Sequence, residues 1–214
     1  MLDAAAADPD ALAWLAANVK TVFDLRSEHE RAAYPSPDVP GVEFVYFERE
    51  ATYPSPDPAD FAVDDGSTAW RGQLLAVAAA YKPTIRAVLQ HVRDKPQEPF
   101  LFHCTAGRDR TGVVAGMLQT LAGTEQPDVI LDYMLSRIGT EQARERLIVF
   151  IKTSLGLDDP ETPGFWNMAS LRPTFWRAFV EGVDAEYGGW DGYVTKGLGF
   201  SAEDLETIKK NLRA

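Results

Sequence analysis

The sequence predicts an α/β fold: a small central sheet flanked by helices, with a helix-rich C-terminal half. Short β-branched or aromatic runs occur early, at residues 19–25, 44–47 and 100–103. Around residues 103–112 the order is strand, glycine-containing loop, helix, and beyond residue 128 the patterns are almost wholly helical. Strands early and helices late suit a sheet sandwiched by helices. A chain of 214 residues can enclose one sizeable core, since folded units of about 100 to 200 residues are typical. One domain over residues 1–214 is expected.

Residues 4–18 read as a short helix, and residues 19–25 (VKTVFDL) as a strand ending at a charged cluster of Asp24, Arg26, Glu28 and Glu30. Residues 44–47 form a second strand. Prolines at 35, 37, 40, 54, 56 and 58 forbid continuous helix on either side of it and frame it with loops that can shape a pocket rim. From residue 70 to 92 the apolar spacing is helical, but Pro83 lacks an amide hydrogen and divides the stretch in two. Residues 100–103 (FLFH) are a short buried strand, followed by a turn and a helix over 111–122 closed by Gly123. Helices then follow over 128–138, 140–154, 171–187 (ending at Gly188) and 201–212, where Ser201 and Asp204 make a serviceable start.

Composition narrows the function classes. Hydrophobic content of 45% and charged content of 25% are those of an ordinary globular chain. No apolar run approaches the roughly 18 to 20 residues a membrane span needs, and the opening lacks a basic signal-peptide region. The expectation is a cytoplasmic protein without stable membrane insertion. A formal net charge of −11 works against nucleic-acid binding, which needs clustered Lys and Arg. Cys104 is the single cysteine, so no internal disulfide can form, which suits a reducing compartment. Histidines occur at 29, 91 and 103 without ligand spacing, so neither metal nor cofactor is expected.

The segment HCTAGRDRTG at 103–112 carries the chemistry. It places Cys104 at the end of a strand and Arg110 six positions later at the start of a helix. In such a loop the amides of roughly residues 105 to 110 can point inward and form a nest for a dianion at a helix N-terminus. Thr105, Ala106, Gly107, Arg108 and Thr111 are therefore the candidate phosphate-binding residues, with Arg110 adding a planar fork. The same amides and dipole favour a thiolate on Cys104, which can attack phosphorus and form a phosphocysteine. The leaving oxygen then needs a proton. Asp109 is the first candidate acid and Asp24 the second; the structural alternative for Asp109 is a charge partner to Arg108 or Arg26. Thr111 can donate a hydroxyl to the sulfur. His103, Asp24 and Arg26 are read as supports that orient the loop. Phe165, Trp166 and Met168, in a Pro/Gly-flanked stretch, are candidates to face substrate, whereas Phe175, Trp176 and Phe179 sit at the helical spacing of core residues.

The loop resembles that of the Cys-x5-Arg phosphatases, specifically the atypical tyrosine and lipid phosphatases of bacteria and fungi, whose loop usually reads HCxAGKDRTG. VFDLRSEHE at 22–30 is similar to that family's upstream acidic stretch, and residues 187–212 are similar to its helical ending. The resemblance implies a protein tyrosine phosphatase-like fold and metal-independent hydrolysis of phosphotyrosine, phosphoserine or phosphothreonine, and phosphoinositides. It also implies that Cys104 is the nucleophile, Arg110 the phosphate grip and Asp109 the acid. Arg108 stands where the family usually has lysine, and the family normally carries another strand-bearing segment before the region matching residues 2–15. Two other readings stay open. One is a phosphatase of a small organic or prenyl phosphate, gripped by an apolar lid; the other is a non-catalytic phosphate-binding module. The partner in each case is a phosphorylated protein, lipid or small molecule, and a homo-oligomer is compatible with all of them.

Overall fold

The computed structural model of the protein describes residues 8–51, 53–156, 159 and 161–214. Helix α1 (Pro9–Asn18) starts where Asp8 accepts from the Asp10 amide at 3.0 Å, with proline in the first turn. Residues 4–7 of the expected helix lie outside the described residues. Then follow β1 (Thr21–Asp24), α2 (Glu28–Ala33), β2 (Glu43–Val45), a 3-10 helix (Pro58–Ala62), α3 (Ser67–Ala80), α4 (Lys82–Asp94) and β3 (Phe100–His103). The second half holds α5 (Asp109–Ala122), α6 (Gln126–Glu141), α7 (Arg144–Leu155), α8 (Phe165–Ala169), α9 (Pro173–Tyr187), α10 (Trp190–Gly192), a π-helical turn (Tyr193–Gly197) and α11 (Ala202–Leu212).

The three strands pair in the order β2-β1-β3, both pairings parallel. Thr21 lies opposite Glu43 on one side and Phe100 on the other, and Asp24 lies opposite His103. This register brings the C-terminal ends of β1 and β3 to one edge. The loops that leave them are neighbours there, at the strand ends where open parallel sheets bind ligands. Every residue of β1 is buried, as a strand covered on both faces must be. One face meets a small cluster of Leu15, Val19, Val22 and Val39. The other meets the main core, where α3, α5 and α9 pack through Leu74, Val77, Met117, Phe175, Trp176 and Phe179.

Several boundaries differ from expectation, for identifiable reasons. Both early strands are shorter than their apolar runs, because only the residues paired in register form strand. Helix α2 has no apolar stripe and no buried residue, so its sequence shows only a charged cluster. Its start is fixed instead by a capping box, in which Glu30 N donates to Ser27 Oγ at 3.3 Å and Ser27 N donates to Glu30 Oε2 at 2.8 Å. Helix α5 begins at Asp109, two residues before the expected start, which puts Asp109 and Arg110 in its first turn. Helix α6 runs through Gly139 to Glu141, beyond the expected end at 138, and α7 starts only at Arg144.

Gly116 lets α9 approach α5: a Cβ there would lie 2.2 Å from the Trp176 ring. Alanine in a helix is worth up to about 1 kcal/mol over glycine, whereas overpacking a core costs roughly 1 to 3 kcal/mol. Because Trp176 is fully buried and cannot swing aside, the clash wins. Gly116→Ala is expected to lose about 1 to 2 kcal/mol of stability, measured as a lower urea midpoint at unchanged slope.

Candidate active site

Cys104 follows β3 directly and is 5% exposed. The chain then turns through Thr105, Ala106 and Gly107 into α5. Gly107 has φ +68° with open space around a would-be Cβ, so it is required for its left-handed backbone and not for room. Along this turn the amides of residues 105–111 have no acceptor among the described hydrogen bonds, and the next amide, of Gly112, donates to Arg108 O at 2.9 Å. A run of free N–H groups at the head of a helix is the arrangement that holds an anion. The Thr111 hydroxyl donates to Cys104 Sγ at 3.2 Å, and Cys104 lines the same cleft as Thr105, Ala106 and Arg108 of the loop.

Arg110 is held by Glu30. Its Nη1 donates to Glu30 Oε2 and its Nη2 to Glu30 Oε1, both at 2.7 Å, and Nη1 also donates to Leu25 O at 3.0 Å. A guanidinium has five N–H donors. Two go to Glu30 and one to Leu25, which leaves the Nε–Nη2 edge, apart from a long 3.5 Å contact to Thr105 Oγ1, able to fork onto two oxygens of one phosphate. Thr105 Oγ1 also donates to Glu30 Oε1. Burial alone would raise the Glu30 pKa, but the hydrogen bonds and charge of Arg110 outweigh it and bring it down to about 2. Arg110 is likewise shifted, burial working against its charge and the bonds to Glu30 raising it above its ordinary value.

Asp109 pairs with its neighbour Arg108, whose Nε donates to Oδ1 at 2.8 Å and Nη2 to Oδ2 at 3.3 Å. The same guanidinium lies 5.0 Å from the Trp70 ring centroid and donates at 3.4 Å to Ala169 O. Thus Arg108 bridges the loop to α3 and α8. Asp109 has Arg108, not Arg26, as its charge partner.

Asp24 and Arg26 lie below the loop, 3% and 5% exposed. Arg26 donates to both Asp24 oxygens through Nε and Nη2, at 2.8 to 3.1 Å, and its Nη1 donates to Tyr34 O at 2.7 Å. Burial would raise the Asp24 pKa, but its bonds from Arg26 and the charge of His103 bring it below the ordinary carboxyl value. His103 stands between this pair and the loop, with Nε2 at 3.7 Å from Asp24 Oδ1 and Nδ1 at 3.2 Å from Cys104 O. Burial lowers its pKa, partly opposed by Asp24.

A cleft of about 440 Å³ opens above the sulfur. Cys104, Thr105, Ala106, Arg108, Asp109 and Arg110 form its floor, and the α6–α7 corner and α8 form its wall, with Arg137, Arg144, Leu147, Phe150, Ile151 and Trp166. Of the three residues expected to face substrate, only Trp166 lines the cleft. Phe165 and Met168 are buried in the core, because α8 turns one face inward and its first and fourth residues share that face. Phe175, Trp176 and Phe179 are fully buried, so the cover over the site comes from α6 and α7, helices read from the sequence without any role. Glu30 was also missed as a functional residue. Its signal was the Ser27-x-x-Glu30 spacing of a capping box, but a local cap does not announce a partner 80 positions away. Among the described residues no group of His, Cys, Asp or Glu could hold a metal ion, and no helix is long and apolar enough to cross a membrane.

An α/β fold whose parallel sheet ends in a cysteine-floored anion nest belongs to the class of phosphate-ester hydrolases. Over residues 2–214 the chain matches the family described as "Tyrosine phosphatase family" and belongs to it. It is 27% identical over 216 residues to a tyrosine-protein phosphatase of Nostoc commune, a match covering 96% of this chain and 69% of that protein. It is 28% identical over 103 residues to the triple specificity protein phosphatase PtpB of Mycobacterium tuberculosis, covering 45% of this chain and 37% of that one. The protein is a protein tyrosine phosphatase-like enzyme.

Glu30 also gives the fold a pH dependence. A carboxyl with a depressed folded pKa stabilises the fold above its ordinary value of 4.5 and loses that contribution as pH falls toward about 2. Wild type is therefore expected to lose on the order of 2 to 3 kcal/mol of stability across that window through this group. Glu30→Gln should be less stable at neutral pH, because it leaves the Arg110 charge buried without its counter-ion, and its acid limb should be flatter in chemical denaturation between pH 5 and 2.

Proposed function

We propose that Cys104 is the nucleophile of phosphate-monoester hydrolysis through a phosphocysteine intermediate, within a single phosphatase domain. The observation that carries this is one cleft lined together by Cys104, whose sulfur accepts from the Thr111 hydroxyl, by Thr105, Ala106 and Arg108 of a loop whose amides lack backbone acceptors among the described residues, and by Arg110. In the first step the thiolate attacks phosphorus, the P–O ester bond breaks, and the leaving oxygen takes a proton from Asp109. In the second, water attacks phosphorus, its proton passes to Asp109, and the P–S bond breaks to return the thiolate, which accepts the Thr111 hydrogen bond. The amides and Arg110 stabilise the equatorial oxygens throughout.

Between the two candidate acids the surroundings favour Asp109. Asp24 is buried in a bidentate pair with Arg26 and does not line the cleft, whereas Asp109 lines it beside Arg108. A bound phosphate competes with Asp109 for the Arg108 guanidinium and leaves the carboxyl beside the leaving oxygen. The apolar wall of Leu147, Ile148, Phe150, Ile151 and Trp166 suits an ester with an aromatic or hydrophobic body, the relatives named protein phosphatases support phosphotyrosine or another phosphoprotein as substrate, and the resemblance of the loop adds phosphoinositides. The same wall suits a prenyl phosphate. A single thiol that must stay reduced fits the cytoplasm.

Cys104→Ser is expected to abolish turnover of phosphotyrosine peptides and aryl phosphates while retaining vanadate binding. Arg110→Lys should lose about 10² to 10³ in kcat, the cost of removing an oxyanion donor. Asp109→Asn should slow esters with poor leaving groups far more than those with good ones, read as a steeper dependence of kcat/KM on leaving-group pKa. An equal loss on all esters would take Asp109 out of the acid role. Preference for prenyl phosphates over phosphopeptides by kcat/KM would overturn the phosphoprotein assignment.

A further inference from the structure

Around Asp109 the fold gathers side chains to which the reaction steps above give no task. Asp109, Gly112 and Gly116 follow one another along one face of α5, three and four residues apart. Gly112 lies against Tyr133 of α6, since a Cβ there would stand 3.2 Å from ring carbons Cδ2 and Cε2. Gly116 lies against Trp176 of α9, whose ring centroid is 5.2 Å from that of Tyr133. The phenol is thereby clamped against α5 about one helical turn from Asp109, and it is 4% exposed. Its hydroxyl is sealed from water and has no hydrogen-bond partner among the described residues. A buried hydroxyl without a partner is unfavourable, so its retention calls for a reason.

The charges around this hydroxyl point to Asp109. Burial pushes the Tyr133 phenol well above its ordinary value; among the charged groups Asp109 raises it most, while Arg108 opposes the rise. Tyr53, from the segment between β2 and the 3-10 helix, is acted on by the same Asp109 and Arg108. Asp109 itself is forked onto Arg108, at 2.8 and 3.3 Å, which keeps its carboxyl off the phenol.

We propose that Tyr133 is the positioning residue for Asp109: once a bound phosphate takes the Arg108 guanidinium, the released carboxyl turns onto the buried Tyr133 hydroxyl. The hydroxyl donates to one carboxyl oxygen, and the other oxygen carries its proton toward the ester oxygen. As that proton leaves, the acceptor becomes a carboxylate, and a hydrogen bond to an ionised acceptor is the stronger one. The bond therefore strengthens toward the transition state, where it raises kcat. The phenol keeps its own proton throughout. Asp109 lines the cleft and Tyr133 does not, so the bond comes from outside the space that substrate fills. This role rests on the acid function of Asp109 proposed above.

The test uses the full chain with Tyr133→Phe, which keeps the ring against Gly112 and Trp176 and removes only the oxygen. Because that oxygen has no partner, the urea midpoint should not fall. Turnover of phenyl phosphate, a poor leaving group, should fall about tenfold, that of p-nitrophenyl phosphate only about twofold, and vanadate affinity should hold. Beside Asp109→Asn the same substitution should slow neither ester further. A crystal structure of the wild-type chain with vanadate should place the Tyr133 hydroxyl about 2.5 to 3.0 Å from an Asp109 oxygen. A lowered midpoint, equal losses on both esters, no loss, a loss that persists beside Asp109→Asn, or a Tyr133 hydroxyl beyond hydrogen-bond reach of Asp109 in the vanadate complex would overturn the proposal. A steep leaving-group dependence in Asp109→Asn with none in Tyr133→Phe would strike Tyr133 alone, whereas an equal loss on all esters in Asp109→Asn would strike the acid reading and the role of Tyr133 with it.

Discussion

The ion pair between Arg110 and Glu30 is the constraint on which the site depends. Arg110 is the group best shaped to grip a phosphate, yet it stands mostly buried, where an unpaired charge is costly. Glu30 offsets that cost from one edge of the guanidinium and leaves the other edge facing the cleft. The same carboxylate caps α2 through Ser27 N and accepts from Thr105 in the loop. One side chain therefore ties the segment after β1, the loop after β3 and the first turn of α5 into a single unit, so that Arg110 needs little reordering to meet a phosphate.

A second support lies one layer deeper. The parallel register sets Asp24 opposite His103, and the Asp24–Arg26 pair anchors the loop after α2 through Tyr34 O. His103 then meets the Cys104 carbonyl, so the strand end that carries Cys104 is fixed from beneath. The loop can give its amides to a ligand because its shape is held by these side chains and by Gly107, and not by backbone hydrogen bonds of its own.

The wall of the cleft is built differently from its floor. Helix α6 buries only Val129 and Tyr133, both in its first half, and its far end with α7 projects beside the loop with apolar side chains in water. Elements with few buried contacts open at lower free-energy cost than the core beneath them. The floor of the cleft is thus held by many buried contacts, and its wall is thinly attached.

Residues adjacent in sequence announced themselves. HCTAGRDRTG by itself determined the strand-loop-helix order, the cysteine, the arginine and a glycine in the turn between them, because an anion nest is a local backbone arrangement. The division of helices at Pro83 and the stops at Gly123 and Gly188 were legible for the same reason, each resting on one residue's backbone chemistry. Only the tertiary structure decided that Glu30 holds Arg110, that Asp24 belongs to Arg26 while Asp109 belongs to Arg108, that Trp166 faces the cleft while Phe165 and Met168 do not, and that α6 and α7 cover it. Those outcomes depend on which distant surfaces are brought together when the sheet pairs and the core closes, and pairing across tens of residues leaves no periodicity in the chain from which it could be read.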